Sequence, residues 1–133
     1  MAETGPAKIR IAVVDDERLL LQVFSSLMRQ FNYQADFFSN PVKALDTITG
    51  NPGRYQLVIS DIRMPELDGI AFAKKIRAAL PDLPIIFMTG DVSDQVKSEA
   101  LSLNRVTFLE KPFPLEETLK DVIPKFLGQH GVK

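Results

Sequence analysis

Four stretches of the chain place polar side chains directly after an apolar, strand-like run. The runs end at Asp15-Asp16-Glu17, at Asp61, at Thr89-Gly90 and at Lys111. Parallel strands bring their carboxyl ends to one edge of a sheet, which is where open α/β sheets bind ligands. The sequence therefore predicts a pocket that holds the three carboxylates of Asp15, Asp16 and Asp61, one hydroxyl and one ammonium.

Carboxylates gathered in one pocket repel each other and require positive charge nearby. At an effective dielectric constant near 20, two like charges about 4 Å apart repel by roughly 4 kcal/mol. Lys111 supplies one positive charge, and a hard divalent cation would supply two more. Mg²⁺ prefers oxygen ligands and retains several waters, so one or two carboxylates with a backbone carbonyl would suit it. The residue types therefore indicate a Mg²⁺ site.

The segments between these polar residues alternate between strand and helix patterns. Five runs have the composition of strands, at 9–14, 33–38, 57–61, 84–88 and 106–110. Helical patterns follow each strand, at 18–31, from 41 to about 50, 70–80, 92–103 and 115–126. Because crossovers between parallel strands are right-handed, the sequence predicts an α/β fold with a doubly wound, five-stranded parallel sheet.

Several local features of these helices can also be predicted. Asp16 is placed to cap the first helix, and Asn104 tolerates a left-handed conformation better than most residues. The 92–103 helix has only a thin apolar stripe, which predicts a loosely held element. Pro124 is expected to kink or shorten the last helix. His130, the single histidine, is expected to be solvated in a frayed tail.

The order of the polar residues resembles the receiver domain of response regulators in two-component signalling. The resemblance runs from about Ile9 to Phe126 and rests on the acidic pair, Asp61, Thr89 and Lys111-Pro112, each after its strand. It implies a flavodoxin-like (βα)5 fold with strand order 2-1-3-4-5. It also implies a flexible leader (1–8), a receiver domain (9–127) and a flexible tail (128–133).

The resemblance implies that Asp61 is the phosphoacceptor and that the cofactor is Mg²⁺. Asp16 and Asp61 would ligate the ion, Asp15 would act directly or through water, and Arg63 would contribute its backbone carbonyl. Aspartate serves as a nucleophile toward phosphorus in enzymes with aspartyl-phosphate intermediates, and phosphoryl transfer needs mainly positioning and charge neutralisation.

The resemblance also implies which residues would contact the phosphoryl group and which would respond to it. Lys111, the Thr89 hydroxyl and the Gly90 N–H would lie near the phosphoryl oxygens, and Gly90 would leave the entrance open. Thr89 and Phe108 would form the switch, although Phe108 is equally consistent with a plain core aromatic. The Lys111–Pro112 peptide is expected to be cis, as X–Pro bonds can be.

One further hypothesis concerns the mouth of the pocket. Arg63 lies two residues after Asp61, and Asp91 lies two residues after Thr89. A salt bridge between Arg63 and Asp91 would shield Asp61 from water and lengthen the lifetime of its phosphoryl group. The alternative is a pair of solvated side chains, since exposed ion pairs contribute only about 0–1 kcal/mol.

The family's phosphoryl donor is a phosphohistidine on a sensor histidine kinase or a phosphotransfer protein. The resemblance implies that the fourth helix, fifth strand and last helix form the output surface, which would contact a downstream protein or effector domain. Self-association as a weak homodimer is a further partner hypothesis. The chain would catalyse its own phosphorylation and dephosphorylation, and would not turn over an external substrate.

Composition excludes several other classes of function. The chain has 133 residues, 45% of them hydrophobic and 25% charged, which is typical of one globular domain. The net charge of -1 gives no general attraction to nucleic acid or to an anionic membrane. No apolar run approaches membrane-spanning length, and no signal-peptide pattern or cysteine is present, so a cytoplasmic location is expected.

Two alternative functions follow from the same residues. A phosphorylation-independent interaction module of this fold should lack an acid, the lysine or the hydroxyl, and none of them is missing here. A phosphatase of the haloacid-dehalogenase type would place a second acid two residues after its nucleophile, where this chain has Arg63. Both alternatives therefore fit the sequence less well than a receiver.

Overall fold

Five parallel strands form a single sheet in the order β2-β1-β3-β4-β5. The computed structural model describes residues 9–63, 67–90, 93–111 and 114–130. The strands are β1 (Arg10–Val14), β2 (Gln34–Phe38), β3 (Leu57–Asp61), β4 (Ile85–Thr89) and β5 (Val106–Glu110). The predicted doubly wound α/β fold and its strand order are confirmed.

Helices cover both faces of the sheet. They are α1 (Arg18–Gln30), α2 (Pro41–Gly50), α3 (Gly69–Ala79), α4 (Asp94–Leu101), α5 (Leu115–Glu117) and α6 (Ile123–Gln129), with a π-helical segment (Thr118–Val122) between the last two. We call α5, the π-helical segment and α6 together the C-terminal helix. None of the helices within the described ranges combines the length and the apolar composition needed to span a membrane.

The core forms two apolar layers, one on each side of the sheet. Residues of α2, α3 and α4, such as Ile48, Phe72 and Ala100, pack on one face. Residues of α1 and the C-terminal helix, such as Phe24 and Ile123, pack on the other. Every residue of β3 and β4 is buried, as expected for central strands of a parallel sheet that is covered on both faces.

Side chains of the expected type cap three of the helices. The side chain of Asn40 accepts hydrogen bonds at the start of α2, where Pro41 is the first residue, while Asp68 caps α3 and Ser93 caps α4. The prediction that Asp16 caps α1 is wrong, because the capping position is Glu17. The N–H of Glu17 donates instead to the neighbouring carboxylate of Asp15, at 2.8 Å.

The fourth helix buries little of its surface, in agreement with the thin apolar stripe of its sequence. It spans Asp94–Leu101, and Ala100 is the single buried residue among these eight, all of which the structure describes. The predicted start at Val92 lies outside the described residues. Asn104 adopts the predicted left-handed conformation, with φ of 62°, and Arg105 follows it at 53°.

The C-terminal helix extends further than its sequence pattern indicated. The predicted end was Phe126, whereas α6 continues to Gln129 and buries Leu127. His130 follows directly and is half-buried, so the expectation that it is solvated in a frayed tail is wrong. Its ring packs edge-on against Phe126 with the centroids 4.6 Å apart, and its carbonyl accepts from Arg105 at 3.1 Å.

Pro124 removes one backbone hydrogen bond from the π-helical segment. The N–H of Ile123 donates to the carbonyl of Thr118, five residues earlier. The corresponding donor for the carbonyl of Leu119 would be residue 124, but proline has no N–H. The hydroxyl of Tyr33 donates to this carbonyl at 3.3 Å, and so ties the C-terminal helix to the turn before β2.

We expect Tyr33→Phe to lower the free energy of unfolding by about 1 kcal/mol, because it leaves a buried carbonyl without a donor. Denaturant unfolding would measure the change. Repeating it in a Pro124→Ala background supplies the missing backbone N–H, so the same substitution should cost less there. Equal costs in the two backgrounds would contradict this account of Pro124.

Candidate functional site

The carboxylates predicted to converge do lie together at the carboxyl edge of the sheet. Asp15, Asp16 and Asp61 each offer an oxygen, and these oxygens all lie within 4.8 Å of one another. Their proximity follows from the register of β1 with β3, where Val14 pairs with Ser60. Asp15 and Asp61 are buried, whereas Asp16 is exposed.

Lys111 reaches into this cluster from the end of β5. Its Nζ lies 3.1 Å from Asp61 Oδ2, 3.3 Å from Glu17 Oε1 and 3.4 Å from Asp15 Oδ2. An ammonium group has three donors, so these three carboxylates can use all of them. The backbone N–H of Lys111 donates to the carbonyl of Thr89 at 2.6 Å, which fixes the base of the side chain.

The pKa values of Asp15 and Lys111 respond differently to this environment. Burial raises the pKa of Asp15 from 3.8 to about 6, although the hydrogen bond from Glu17 and the charge of Lys111 oppose the rise. Burial alone would lower the pKa of Lys111. The hydrogen bond to Asp61 and the charges of Asp15 and Asp61 outweigh it, and raise that pKa above its ordinary value. Lys111 is therefore a permanent cation at neutral pH.

The hydroxyl of Thr89 is buried and without a partner. The residue is 3% exposed, and its Oγ1 has no hydrogen-bond partner among the residues that the structure describes. It lies one position beyond Met88, which pairs with Asp61 in the sheet. A buried polar atom left unsatisfied is costly, so the site is suited to a ligand that accepts a hydrogen bond here.

The other predicted site residues lie around the carboxylate cluster or outside the described residues. Arg63 donates its backbone N–H to Asp61 Oδ1 at 3.3 Å. Gly90 is exposed, and a Cβ there would meet no atom within 4 Å. Phe108 is half-buried and packs against Phe87, with ring centroids 5.8 Å apart. Asp91 lies outside the described residues. The Lys111–Pro112 peptide extends beyond them, because Pro112 is not among the described residues.

Two residues of the site were not predicted as members of it. Glu17 follows the acidic pair in the sequence, and its contact with Lys111, which lies 94 positions away, was not predicted. Gly69 is packed against the backbone of Asp61 and Ile62 so closely that a Cβ would clash with both. In the sequence, Glu17 could have been recognised as the third consecutive acid after β1. Gly69 could have been recognised as a glycine directly after the aspartate that caps a helix.

The donor set fits a hard divalent cation. Asp15, Asp16 and Asp61 would hold it, because the cluster offers only carboxylate oxygens, which suit Mg²⁺. Bound Mg²⁺ would neutralise carboxylate charge and polarise the oxygens of an anionic ligand. The arrangement can thus present a buried carboxylate, a fixed ammonium and an unpaired hydroxyl to such a ligand.

Known proteins share this sequence pattern and fold. The chain is 34% identical over 111 residues to response regulator MprA of Mycobacterium sp. (strain KMS), which covers 84% of this chain and 47% of that protein. It is 35% identical over 106 residues to the transcriptional regulatory protein FixJ of Bradyrhizobium diazoefficiens, covering 80% and 51%. The chain thus spans about half the length of these curated relatives.

Solved structures agree with these relatives. The receiver domain of the hybrid histidine kinase CckA has a TM-score of 0.74 and 31% identity, covering 89% of this chain and 98% of that domain. The chemotaxis protein CheY4 of Vibrio cholerae has a TM-score of 0.78 and 27% identity, with the same coverages. The family model of the response regulator receiver domain matches residues 11–123. The chain therefore belongs to the response regulator receiver domain family.

Proposed function

We propose that Asp61 accepts a phosphoryl group from a phosphohistidine of a sensor histidine kinase or a phosphotransfer protein, in a reaction that requires Mg²⁺. One observation carries the proposal. The Asp61 carboxylate lies 3.1 Å from a lysine that is permanently charged, inside a three-carboxylate cluster suited to a divalent cation. Receiver domains are signalling modules, and any phosphorylation and dephosphorylation here would be chemistry on the chain itself.

Each residue of the pocket has a defined part in this proposal. An oxygen of Asp61 forms the new bond to phosphorus while the bond from phosphorus to the histidine nitrogen breaks. Lys111 shifts from the carboxylates to the phosphoryl oxygens and stabilises their charge. The Thr89 hydroxyl donates to a phosphoryl oxygen and so gains the partner that it lacks. The N–H of Gly90 is a further donor at the entrance.

The surface beside the pocket supports docking of a protein donor. Leu19 is 77% exposed and Val23 is 46% exposed, one helical turn apart on α1. Exposed apolar side chains that adjoin one another form the kind of patch at which partner proteins bind. We propose that the kinase or phosphotransfer protein contacts them while its histidine enters the pocket.

The output part of the proposal concerns how phosphorylation would change the surface that a partner contacts. New acceptor oxygens on Asp61 would draw Thr89 toward them, and Phe108 would respond by turning inward. The surface of α4, β5 and the C-terminal helix would then signal to a downstream protein, to an effector domain or, as a weak homodimer, to a second copy. The lack of cysteine supports a cytoplasmic location for this signalling.

Intact mass after incubation with acetyl phosphate and Mg²⁺ tests the proposal. We expect a single adduct of about 80 Da, the mass of one phosphoryl group. It should be absent from Asp61→Asn and from a sample with a chelator. If the folded parent forms no adduct, and a time course rules out rapid hydrolysis, the chain is instead a phosphorylation-independent interaction module.

The proposed gate at the pocket mouth predicts a change in phosphoryl lifetime. We expect Arg63→Ala to speed autodephosphorylation by about two- to fivefold, since an exposed ion pair contributes up to about 1 kcal/mol. Loss of the mass adduct with time gives the rate. Asp91→Ala should have the same effect, and the double variant should be no faster than either. An unchanged rate in Arg63→Ala would rule out the gate.

A further inference from the structure

Arg77 joins two turns at the edge of the sheet opposite the acidic pocket. Its guanidinium donates to five backbone carbonyls, those of Leu80 (3.0 Å), Pro81 (3.2 Å), Leu83 (2.7 Å), Leu103 (2.9 Å) and Asn104 (2.9 Å). Three of these belong to the turn between α3 and β4, and two to the turn between α4 and β5. Arg77 makes no ion pair within the described part of the chain, so its hydrogen bonds go to backbone.

The turn between α4 and β5 is held in an unusual conformation. Asn104 and Arg105 are consecutive non-glycine residues with positive φ, at 62° and 53°. Such a conformation is unfavourable and persists where the surroundings fix it. Arg77 fixes one side of the turn, and the other side is held by the N–H of Ile85, which donates to the carbonyl of Arg105 at 2.9 Å.

The two ends of α4 are held to different degrees. Near its carboxyl end, Ala100 is fully buried, Leu103 packs against the core, and Glu99 pairs with Lys74 at 2.8 Å. Near its amino end, Asp94 and Gln95 are exposed, Lys97 is half-buried, and the half-buried Val96 packs against the same core as Leu103. The ion pair at that end joins Lys97 to Glu110 at 3.5 Å, and the Glu110 side chain is 75% exposed. One end of α4 is therefore anchored and the other is weakly held.

A movement of Thr89 in the acidic pocket would first displace the amino end of α4, which is the weakly held end. Thr89 ends β4 and stands four positions before Ser93, the cap of α4. We propose that Arg77 holds the carboxyl end of α4 as a fixed pivot, so that phosphorylation of Asp61 tilts the helix by moving its amino end. The inference rests on the proposed phosphorylation, and it adds which end of α4 moves and which residue keeps the other end in place.

Amide hydrogen exchange on the intact chain tests the pivot, with and without acetyl phosphate and Mg²⁺. Intact mass of the same samples reports whether the adduct has formed, so failure of phosphorylation is recognised separately. In the phosphorylated parent, we expect exchange to change at residues 94–97. At 99–101 and 103–105 it should stay within about twofold of the unphosphorylated value, because these amides are fixed by the anchored turn.

Arg77→Met removes the anchor and Lys75→Met is its matched control, an exposed cation on the same helix. Without phosphate, Arg77→Met should speed exchange at 100–104 by about tenfold or more, and Lys75→Met should not. If Arg77→Met does not fold, Arg77→Lys retains the charge but cannot reach both turns, and should show the same change in smaller degree. The pivot is overturned if phosphorylation changes exchange equally at both ends of α4, or if 100–104 exchange normally in the Arg77 variants.

Discussion

Gly69→Ala is expected to lower the free energy of unfolding by about 2 to 3 kcal/mol, and to slow phosphorylation of Asp61 by about 10- to 100-fold. The first turn of α3 lies directly on the backbone of Asp61, the proposed phosphoacceptor. An added Cβ would come within 2.6 Å of Ile62 Cα and would also clash with the carbonyl of Asp61. Backbone atoms cannot rotate away as a side chain can, so either α3 or Asp61 must shift.

Two measurements separate the effects of Gly69→Ala. Denaturant unfolding gives the loss of stability, and the time course of the mass adduct with acetyl phosphate gives the loss of rate. Gly128→Ala is the matched control, because it lies in α6 and its added Cβ meets no atom within 4 Å. It should raise stability by about 0.5 to 1 kcal/mol through helix propensity and leave the rate unchanged. A Gly69→Ala protein with parental stability would contradict the close packing described here.

The second large effect is expected from Asp15→Asn, which should stabilise the metal-free protein at neutral pH. Burial raises the pKa of Asp15 to about 6, so folding at pH 7 traps a carboxylate in a place that disfavours its charge. Each pKa unit corresponds to about 1.4 kcal/mol. Asparagine has nearly the same shape without the charge. The free energy of unfolding should therefore rise by about 2 to 3 kcal/mol at pH 7.

The pH dependence of this effect has a definite sign. The pKa of Asp15 is higher in the folded state than the unfolded value of 3.8, so the folded protein binds this proton more tightly. The stability associated with that proton is fully present below about pH 4 and is lost as the pH rises to about 6. The difference between Asp15→Asn and the parent should thus be near zero at pH 4, grow to pH 6 and stay constant above it.

Unfolding curves across this pH range, in the presence of a chelator, measure the difference. Asp121→Asn removes the same charge from the exposed surface of the C-terminal helix, and its effect should stay within about 0.5 kcal/mol at every pH. Mg²⁺ should stabilise the parent more than Asp15→Asn, because the variant has lost a carboxylate of the cation cluster. A variant less stable than the parent at pH 7 without Mg²⁺ would contradict the cost assigned to this buried charge.

The sheet could be predicted from the sequence because its strands are buried on both faces. Runs such as 57–59 and 85–88 are wholly apolar and are followed by polar residues, which marks both the strand and its carboxyl end. The predicted strand bounds agree with the structure to within one residue. The order of the strands came from the resemblance, since apolar patterns do not encode which strands are neighbours.

Helix ends and some site contacts could not be predicted, because they depend on tertiary structure. The pattern of the last helix continues through the π-helical segment, and the contribution of Tyr33 there comes from a distant part of the chain. Glu17 and Lys111 meet because each follows a strand whose carboxyl end lies at the same edge of the sheet, and no local pattern indicates that contact. Gly69 directly follows Asp68 in the sequence, whereas its close approach to Asp61 requires the packed helix.

The parallel sheet has a consequence for how the pocket comes into existence during folding. Parallel neighbours cannot join through short hairpins, and β1 pairs with β3 across an intervening strand and two helices. Lys111 contacts Asp61 and Asp15 across 50 and 96 positions of the chain. Such contacts form late, after distant segments have closed. A partly folded chain therefore lacks the pocket, and the proposed chemistry of Asp61 would itself report that the whole sheet has formed.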